Sequence, residues 1–213
     1  MSRLSISFPQ QPISISEEKS FAAELFRCMH TMACLVSLQT ELLSNPELPM
    51  SSAVLLTQLS SAVEHRLLQS RPPPSPYPSA VLLLHEAFRL SQLMCISCIF
   101  RAFGASSAIL RSLSNRLSQT LTSLEPLVQN VMSLPEKRML AWILCVGGMA
   151  SSDQHWYASR LAKLLYELKI SDNEEWEALL SEFVWSPRMN TRYYDILLGL
   201  VRQSRPVCQI AQS

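Results

Sequence analysis

A chain of 213 residues that is 48% hydrophobic and 16% charged is long enough to bury a substantial core and too apolar to stay unfolded. Its 18 basic and 17 acidic residues nearly cancel and form no basic block, which speaks against a dedicated nucleic-acid surface. Four glycines in all leave no room for a phosphate-binding loop or a dinucleotide-binding glycine motif.

Residues 1–13 are rich in Ser, Pro and Gln and are expected to be disordered. They hold one charge after Met1 and no sustained apolar run, unlike a signal peptide, so the six cysteines are expected to be reduced thiols. Ser14 and Glu17 have capping-box spacing and open a predicted helix. Phe21, Leu25, Met29, Met32 and Val36 give it one apolar face, and Asn45-Pro46 and Pro49 end it. A second helix is predicted from Ser51 to Gln69 on the stripe Leu56, Leu59, Val63 and Leu67. Five prolines within Arg71–Pro78 then preclude helix, because each lacks an N–H and restricts its predecessor. This segment reads as a stiff linker.

From Ser79 to Phe103 the pattern is apolar on nearly every side, which predicts a central helix ended by Gly104. The next helix, Ser106–Gln129, carries Leu110, Leu113, Leu117, Leu121, Leu124 and Val128 on one face and Ser, Asn, Arg and Gln on the other. Ser133 and Glu136 form a second capping box, opening a helix to Ala150 that contains Trp142 and Gly147-Gly148. Asp153 is placed to cap Gln154–Lys169, whose inward residues are Tyr157, Leu161, Leu164, Leu165 and Leu168. Ser171 and Glu174 are expected to cap a short helix through Trp185, packed by Trp176, Leu179, Leu180 and Phe183. Pro187 breaks it, Asn190 caps the last helix, and Tyr194, Leu197, Leu198 and Val201 pack that helix. The fold expected is all-α, an irregular multi-helix bundle of about eight helices without strands. Its organisation reads as a disordered N-terminus (1–13), an N-terminal helical pair (14–70), the Pro-rich linker (71–78), a helical core (79–203) and a frayed tail (204–213).

Candidate chemistry is sparse. His30, His65, His85 and His155 are scattered, and His85-Glu86 lacks the second histidine of a zinc-binding His-Glu-x-x-His. Cys95 and Cys98 have Cys-x-x-Cys spacing, but they sit within an apolar helix, and Cys28, Cys34, Cys145 and Cys208 supply no partner pair by spacing. They read as core thiols. Ser151, Ser152, Asp153 and His155 invite a triad reading, yet adjacency in sequence is not triad geometry and no Gly-x-Ser-x-Gly turn is present. A helix N-terminus accounts for them, and for Glu174-Glu175. Gly147-Gly148 disfavours helix by up to about 1 kcal/mol per residue relative to Ala. The pair is expected to allow close approach of a neighbouring helix. No residue is therefore assigned as catalytic, cofactor-binding or metal-binding.

The uncharged apolar stretches Leu90–Phe100 and Met139–Ala150 are shorter than the roughly 20 residues of a membrane span and read as buried core. A mean hydropathy of +0.13 suggests a large buried surface, or apolar surface that needs a partner.

Met139-Leu-Ala-Trp-Ile-Leu-Cys-Val-Gly-Gly-Met-Ala150, followed by His155-Trp-Tyr157, Trp176 and Phe183-Val-Trp185, resembles the C-terminal part of the fungal-specific transcription factor domain. That helical regulatory region accompanies the six-cysteine zinc-cluster DNA-binding domain of fungal regulators. His85-Glu-Ala-Phe-Arg-Leu90 resembles an earlier helix of the family, and the likeness spans roughly residues 80–200. The resemblance implies a nuclear or cytoplasmic, non-secreted regulatory domain that acts through protein association or through sensing an effector in the bundle, with no residue to name for an effector pocket. Trp142, Gly147, Gly148, Trp156, Trp176 and Trp185 would be its structural anchors. The cysteine spacing of a zinc cluster is missing, so no direct nucleic-acid binding is carried over. The family's first helices are expected to be absent, which would leave a truncated regulator or one that pairs with a protein partner or a second copy. A generic helical scaffold is the alternative, but no repeat near 34 or 40 residues is found. An enzyme would need convergent His, Glu or Asp on facing helices, whereas these stripes are almost purely apolar.

Overall fold

A computed structural model describes residues 15–45, 50–72, 79–101, 107–128, 132–185 and 191–204. Among them the secondary structure is helical: α1 (Ile15–Ser44), α2 (Met50–Gln69), α3 (Ala80–Ile99), α4 (Ala108–Leu124), α5 (Leu134–Ala150), α6 (Gln154–Glu167), α7 (Asn173–Ser181) and α8 (Thr191–Ser204). The caps predicted at Ser14 and Asn190, the stop signals Gly104 and Pro187, most of the Pro-rich segment and Cys208 lie outside the described residues.

The helix without a polar side becomes the centre. α3 packs on α1, α2, α4 and α5, and it is buried almost continuously from Leu84 to Ser97. α5 is the second central helix, buried without interruption from Ala141 to Ala150 and flanked by α4, α6, α7 and α8. α1 lays Phe21, Leu25, Cys28, Met32, Leu35 and Val36 into the hydrophobic cluster that also holds the interiors of α3 and α5. By length and composition α1 (Ser16–Ser44) and α3 could cross a membrane. Most of α3 is covered by the other helices.

Several boundaries and faces depart from the sequence reading. In α2 the inward positions are Ser60, Val63 and Leu67; Leu59 is exposed, beside Val54, Leu55 and Leu68. The Ser60 hydroxyl is buried at little cost, because it donates to the Thr57 carbonyl at 3.0 Å within its own helix. α3 stops at Ile99 rather than Phe103: the amides of Phe100 and Arg101 both fall back on the Ile96 carbonyl. Arg101 then turns to α2, pairing with Glu64 and Ser61 at 2.9 Å. α4 gives way at Leu124 to a 3-10 turn over Glu125–Leu127, since Pro126 has no N–H to continue the α ladder.

The start of α7 is shifted one residue from the predicted Ser171/Glu174 box. Asp172 accepts the Glu175 amide at 2.8 Å, and the Glu175 carboxylate accepts the Ser171 amide at 2.9 Å. A carboxylate suits the positive end of a helix better than the neighbouring hydroxyl. α7 also ends at Ser181, short of Trp185, because the segment after it is drawn to Trp142. Phe183 stacks on that indole at 5.6 Å, and the Val184 carbonyl accepts its ring N–H at 3.0 Å.

α6 ends in a Schellman arrangement. The Ile170 amide reaches the Leu165 carbonyl, the Lys169 amide reaches the Tyr166 carbonyl, and buried Ile170 packs beside Leu165. Lys169 occupies the left-handed region with φ 58°, where a Cβ is disfavoured by about 1 kcal/mol. Lys169→Gly is therefore expected to raise the urea midpoint by the equivalent of about 0.5–1 kcal/mol. A fall in the midpoint would show that the lysine itself makes a stabilising contact.

Candidate functional site

The side chains singled out in the sequence do not converge. His30, His65 and His155 are exposed; His65 Nε2 lies 2.8 Å from Gln69 Nε2. His85 is half-buried edge-on to Phe21, and burial lowers its pKa against the opposing pull of Glu18 and Glu136. Ser151 is buried and its hydroxyl accepts the Asp153 amide at 3.0 Å, while Asp153 accepts the Trp156 amide at 3.3 Å. These residues make the entry to α6. Among the described residues no group of three or more His, Cys, Asp or Glu is arranged to hold a metal ion.

Cys95 and Cys145 are fully buried, and burial pushes both thiols far above their ordinary range. Burial also pushes Cys98 and Cys28 up to about 11, with Glu24 adding to the effect at Cys28. Since the thiolate is the nucleophile, Cys34 alone among these five should react quickly with a disulfide reagent in the native protein. Mass mapping after brief labelling, with and without denaturant, checks this. Rapid native labelling of Cys95 or Cys145 would point to an opening that their burial does not allow.

Gly147 and Gly148 lie inside α5, where the backbone meets two neighbours. A Cβ on Gly147 would stand 2.3 Å from Tyr157 Cε1, and one on Gly148 would stand 2.6 Å from Leu197 Cδ1. The missing side chains let Tyr157 of α6 cross the face of α5 and donate its hydroxyl to the Ser114 carbonyl of α4 at 3.3 Å. α4, α5, α6 and α8 are thereby brought together at one point. Trp142, Trp176 and Tyr157 are buried in this part of the core. Trp156 instead lies at the surface under the Arg160 guanidinium, 3.8 Å from its ring centre.

A buried polar network was missed by the sequence reading. Arg89 makes a two-pronged pair with Glu86, at 2.6 and 2.7 Å, and donates to the Leu67 carbonyl at 2.8 Å. Arg116 of α4 reaches the same carboxylate at 3.2 Å. Leu67 belongs to the last turn of α2, whose carbonyls carry partial negative charge. The network thus ties α2, α3 and α4 together, and Gln92 adds α1 by donating to the Leu25 carbonyl at 3.2 Å. Its bonds to Leu67, Arg116 and Leu25 each join one helix to another, so it acts as a structural clamp, although Gln92 Oε1 is buried without a partner.

A cleft of about 590 Å³ lies between the end of α4, the start of α5 and the outer side of α6. That volume lies within the usual range for small-molecule sites. Leu121, Leu124, Leu140, Leu144 and Leu164 form its apolar wall. Its rim is charged: Arg160 pairs with Glu125 at 2.5 and 3.2 Å, and Lys137 pairs with Glu167 at 3.0 Å. Lys163 lines the same rim and has no carboxylate partner among the described residues. A smaller apolar hollow of about 80 Å³, walled by Ala80, Val81 and Leu84, shares Val128 and Met132 with the cleft.

No curated protein and no solved structure matches the chain. The pattern of the fungal specific transcription factor domain matches residues 6–197, taking in α1 and α2 as well as nearly all of the 80–200 stretch in which the sequence motifs lie. That family is a transcription-factor regulatory domain and not a class of enzymes. A chain whose described residues are helical, matched over nearly its whole length, with Trp142, Trp176 and the paired glycines in its buried core, belongs to the fungal specific transcription factor domain family.

Proposed function

We propose that this chain is an effector-responsive regulatory domain that works in the nucleus, with contact to DNA made by a different polypeptide segment. The observation that carries this reading is the cleft: a hollow of about 590 Å³ with a leucine wall and a charged rim, set between three helices of a family that regulates transcription. A ligand there would bridge α4, α5 and α6. Any difference in its affinity for two arrangements of these helices would shift their populations. Next to it, the Gly147–Tyr157 contact couples α5 and α6 tightly, so rearrangement at the cleft would be passed to α8 through Gly148 and Leu197.

The test is a reporter driven by this chain fused to an unrelated DNA-binding module, in a fungal host. Leu140→Trp, which fills the cleft, should change reporter output at unchanged protein level and unchanged thermal midpoint. Output identical to the parent would count against an effector site.

Protein association is a second reading, favoured by a specific feature. Val54, Leu55, Leu59 and Leu68 of α2 and Phe26 of α1 are exposed large apolar residues on the two N-terminal helices. Such surface suits a partner helix or a second copy. Light scattering coupled to size exclusion should then show self-association that Leu55→Lys together with Leu59→Lys abolishes. A monomer at all concentrations would leave only a partner of different sequence.

A further inference from the structure

Building on the reading of the cleft as an effector site, we infer that it takes a small amphipathic monoanion: a carboxylate headgroup on an apolar body. The rim carries three cations, Lys137, Arg160 and Lys163, against two carboxylates, Glu125 and Glu167. Arg160 is held in place twice, by its two contacts to Glu125 and by the Trp156 face beneath it. Glu167 is occupied by Lys137. The ammonium of Lys163 is thus the charge in excess among the described residues. Lys163 is exposed at the rim and keeps its water when a neutral apolar ligand occupies the wall, whereas a carboxylate set beside it gains a charge-assisted hydrogen bond that a neutral headgroup cannot match. The leucine wall accounts for the rest of the ligand, and the smaller hollow beyond Val128 and Met132 prolongs the apolar path away from the rim. A dianion or a phosphate ester fits less well, since two of the three cations are already neutralised.

Dodecanoate is the probe, titrated into the full chain below its micelle concentration. Calorimetry gives stoichiometry and affinity, and tryptophan fluorescence reports through Trp156 under Arg160. One dodecanoate per chain is expected, about tenfold tighter than 1-dodecanol. Lys163→Gln should remove most of that preference while leaving 1-dodecanol unchanged. Leu140→Trp should abolish binding of both. Higher salt should narrow the gap between acid and alcohol. Equal affinity for acid and alcohol would overturn the assignment, as would a preference insensitive to Lys163→Gln, or no binding of dodecanoate. The two layers separate cleanly. Reporter output altered by Leu140→Trp without dodecanoate binding refutes the ligand class and leaves the effector reading. Lys163-dependent binding with a reporter indifferent to Leu140→Trp does the opposite.

Discussion

Gly147→Ala is expected to destabilise the chain by about 2 kcal/mol or more, although alanine is the better helix former. On propensity alone the substitution would gain up to about 1 kcal/mol. The added methyl, however, would lie 2.3 Å from Tyr157 Cε1 and 2.9 Å from Cδ1. That ring cannot step aside easily: it is 1% exposed, its hydroxyl is bonded to the Ser114 carbonyl, and Trp156 packs edge-on at 4.8 Å. Overpacking of this kind costs about 1–3 kcal/mol. Displacing the ring would add the loss of a buried hydrogen bond, about 1 kcal/mol. The control is Gly199→Ala on α8, where a Cβ meets nothing within 4 Å. There propensity acts alone, and the same substitution should stabilise by about 0.5–1 kcal/mol. Urea denaturation of the two variants should therefore move the midpoint in opposite directions. A Gly147→Ala protein as stable as the parent would mean that α5 and α6 are farther apart than the Tyr157 contact requires.

Gly148→Ala should fall between these two. Its obstacle is the end of the Leu197 side chain, 2.6 Å away, and a leucine terminus can change rotamer where a bonded tyrosine ring cannot. The position nevertheless matters for coupling, because Leu197 is fully buried and anchors α8.

The architecture was largely legible because each helix carries its own signal. Ser133-x-x-Glu136 illustrates how far such signals reach. Glu136 accepts the Ser133 amide at 2.7 Å and the Ser133 side chain faces the backbone of Glu136, completing the predicted capping box, while the Ser133 hydroxyl also donates to that carboxylate at 2.6 Å. The paired glycines were readable for a similar reason: two residues that weaken a helix, set in an apolar run, call for a neighbour close enough to use the space. The residues that filled it, Tyr157 and Leu197, were not readable, since nothing local specifies which ring crosses which backbone. The α2 face was misassigned at Leu59 because α2 touches α1 and α3 along a narrow strip, and the helix period admits Ser60 equally well. The cleft was illegible on stronger grounds. Lys137, Arg160 and Lys163 come from two helices, and a hollow appears where helices diverge, which no stripe records. Glu86 and Arg89 did leave a trace. Spaced three apart, they look like a solvated surface pair. A helix with no polar side has nowhere to put such a pair except inside.

That buried pair sets the second large effect. Glu86→Gln is expected to cost about 3–5 kcal/mol, the range for breaking a buried ion pair from one side. The amide nearly preserves the shape of the carboxylate, so packing is a small part of the change. What is lost is the charge opposite Arg89, whose side chain is only 3% exposed and whose remaining bond to the Leu67 carbonyl cannot neutralise it. Arg116 loses less: its side chain is 58% exposed and water replaces the contact. Arg116→Gln should accordingly change stability by no more than about 1 kcal/mol. The decisive variant is the double substitution Glu86→Leu with Arg89→Met. Removing both charges also removes their desolvation, so the double variant should recover most of the stability lost in Glu86→Gln, less about 1 kcal/mol for the unpaired Leu67 carbonyl. A double variant as unstable as the single one would show that the pair is held for its bonds to α2 and α4 and not merely tolerated as a neutralised defect. Recovery would leave those bonds a different role, fixing the register in which α2 and α4 meet α3, and a loosened register would appear as faster amide exchange in α2 at nearly unchanged global stability.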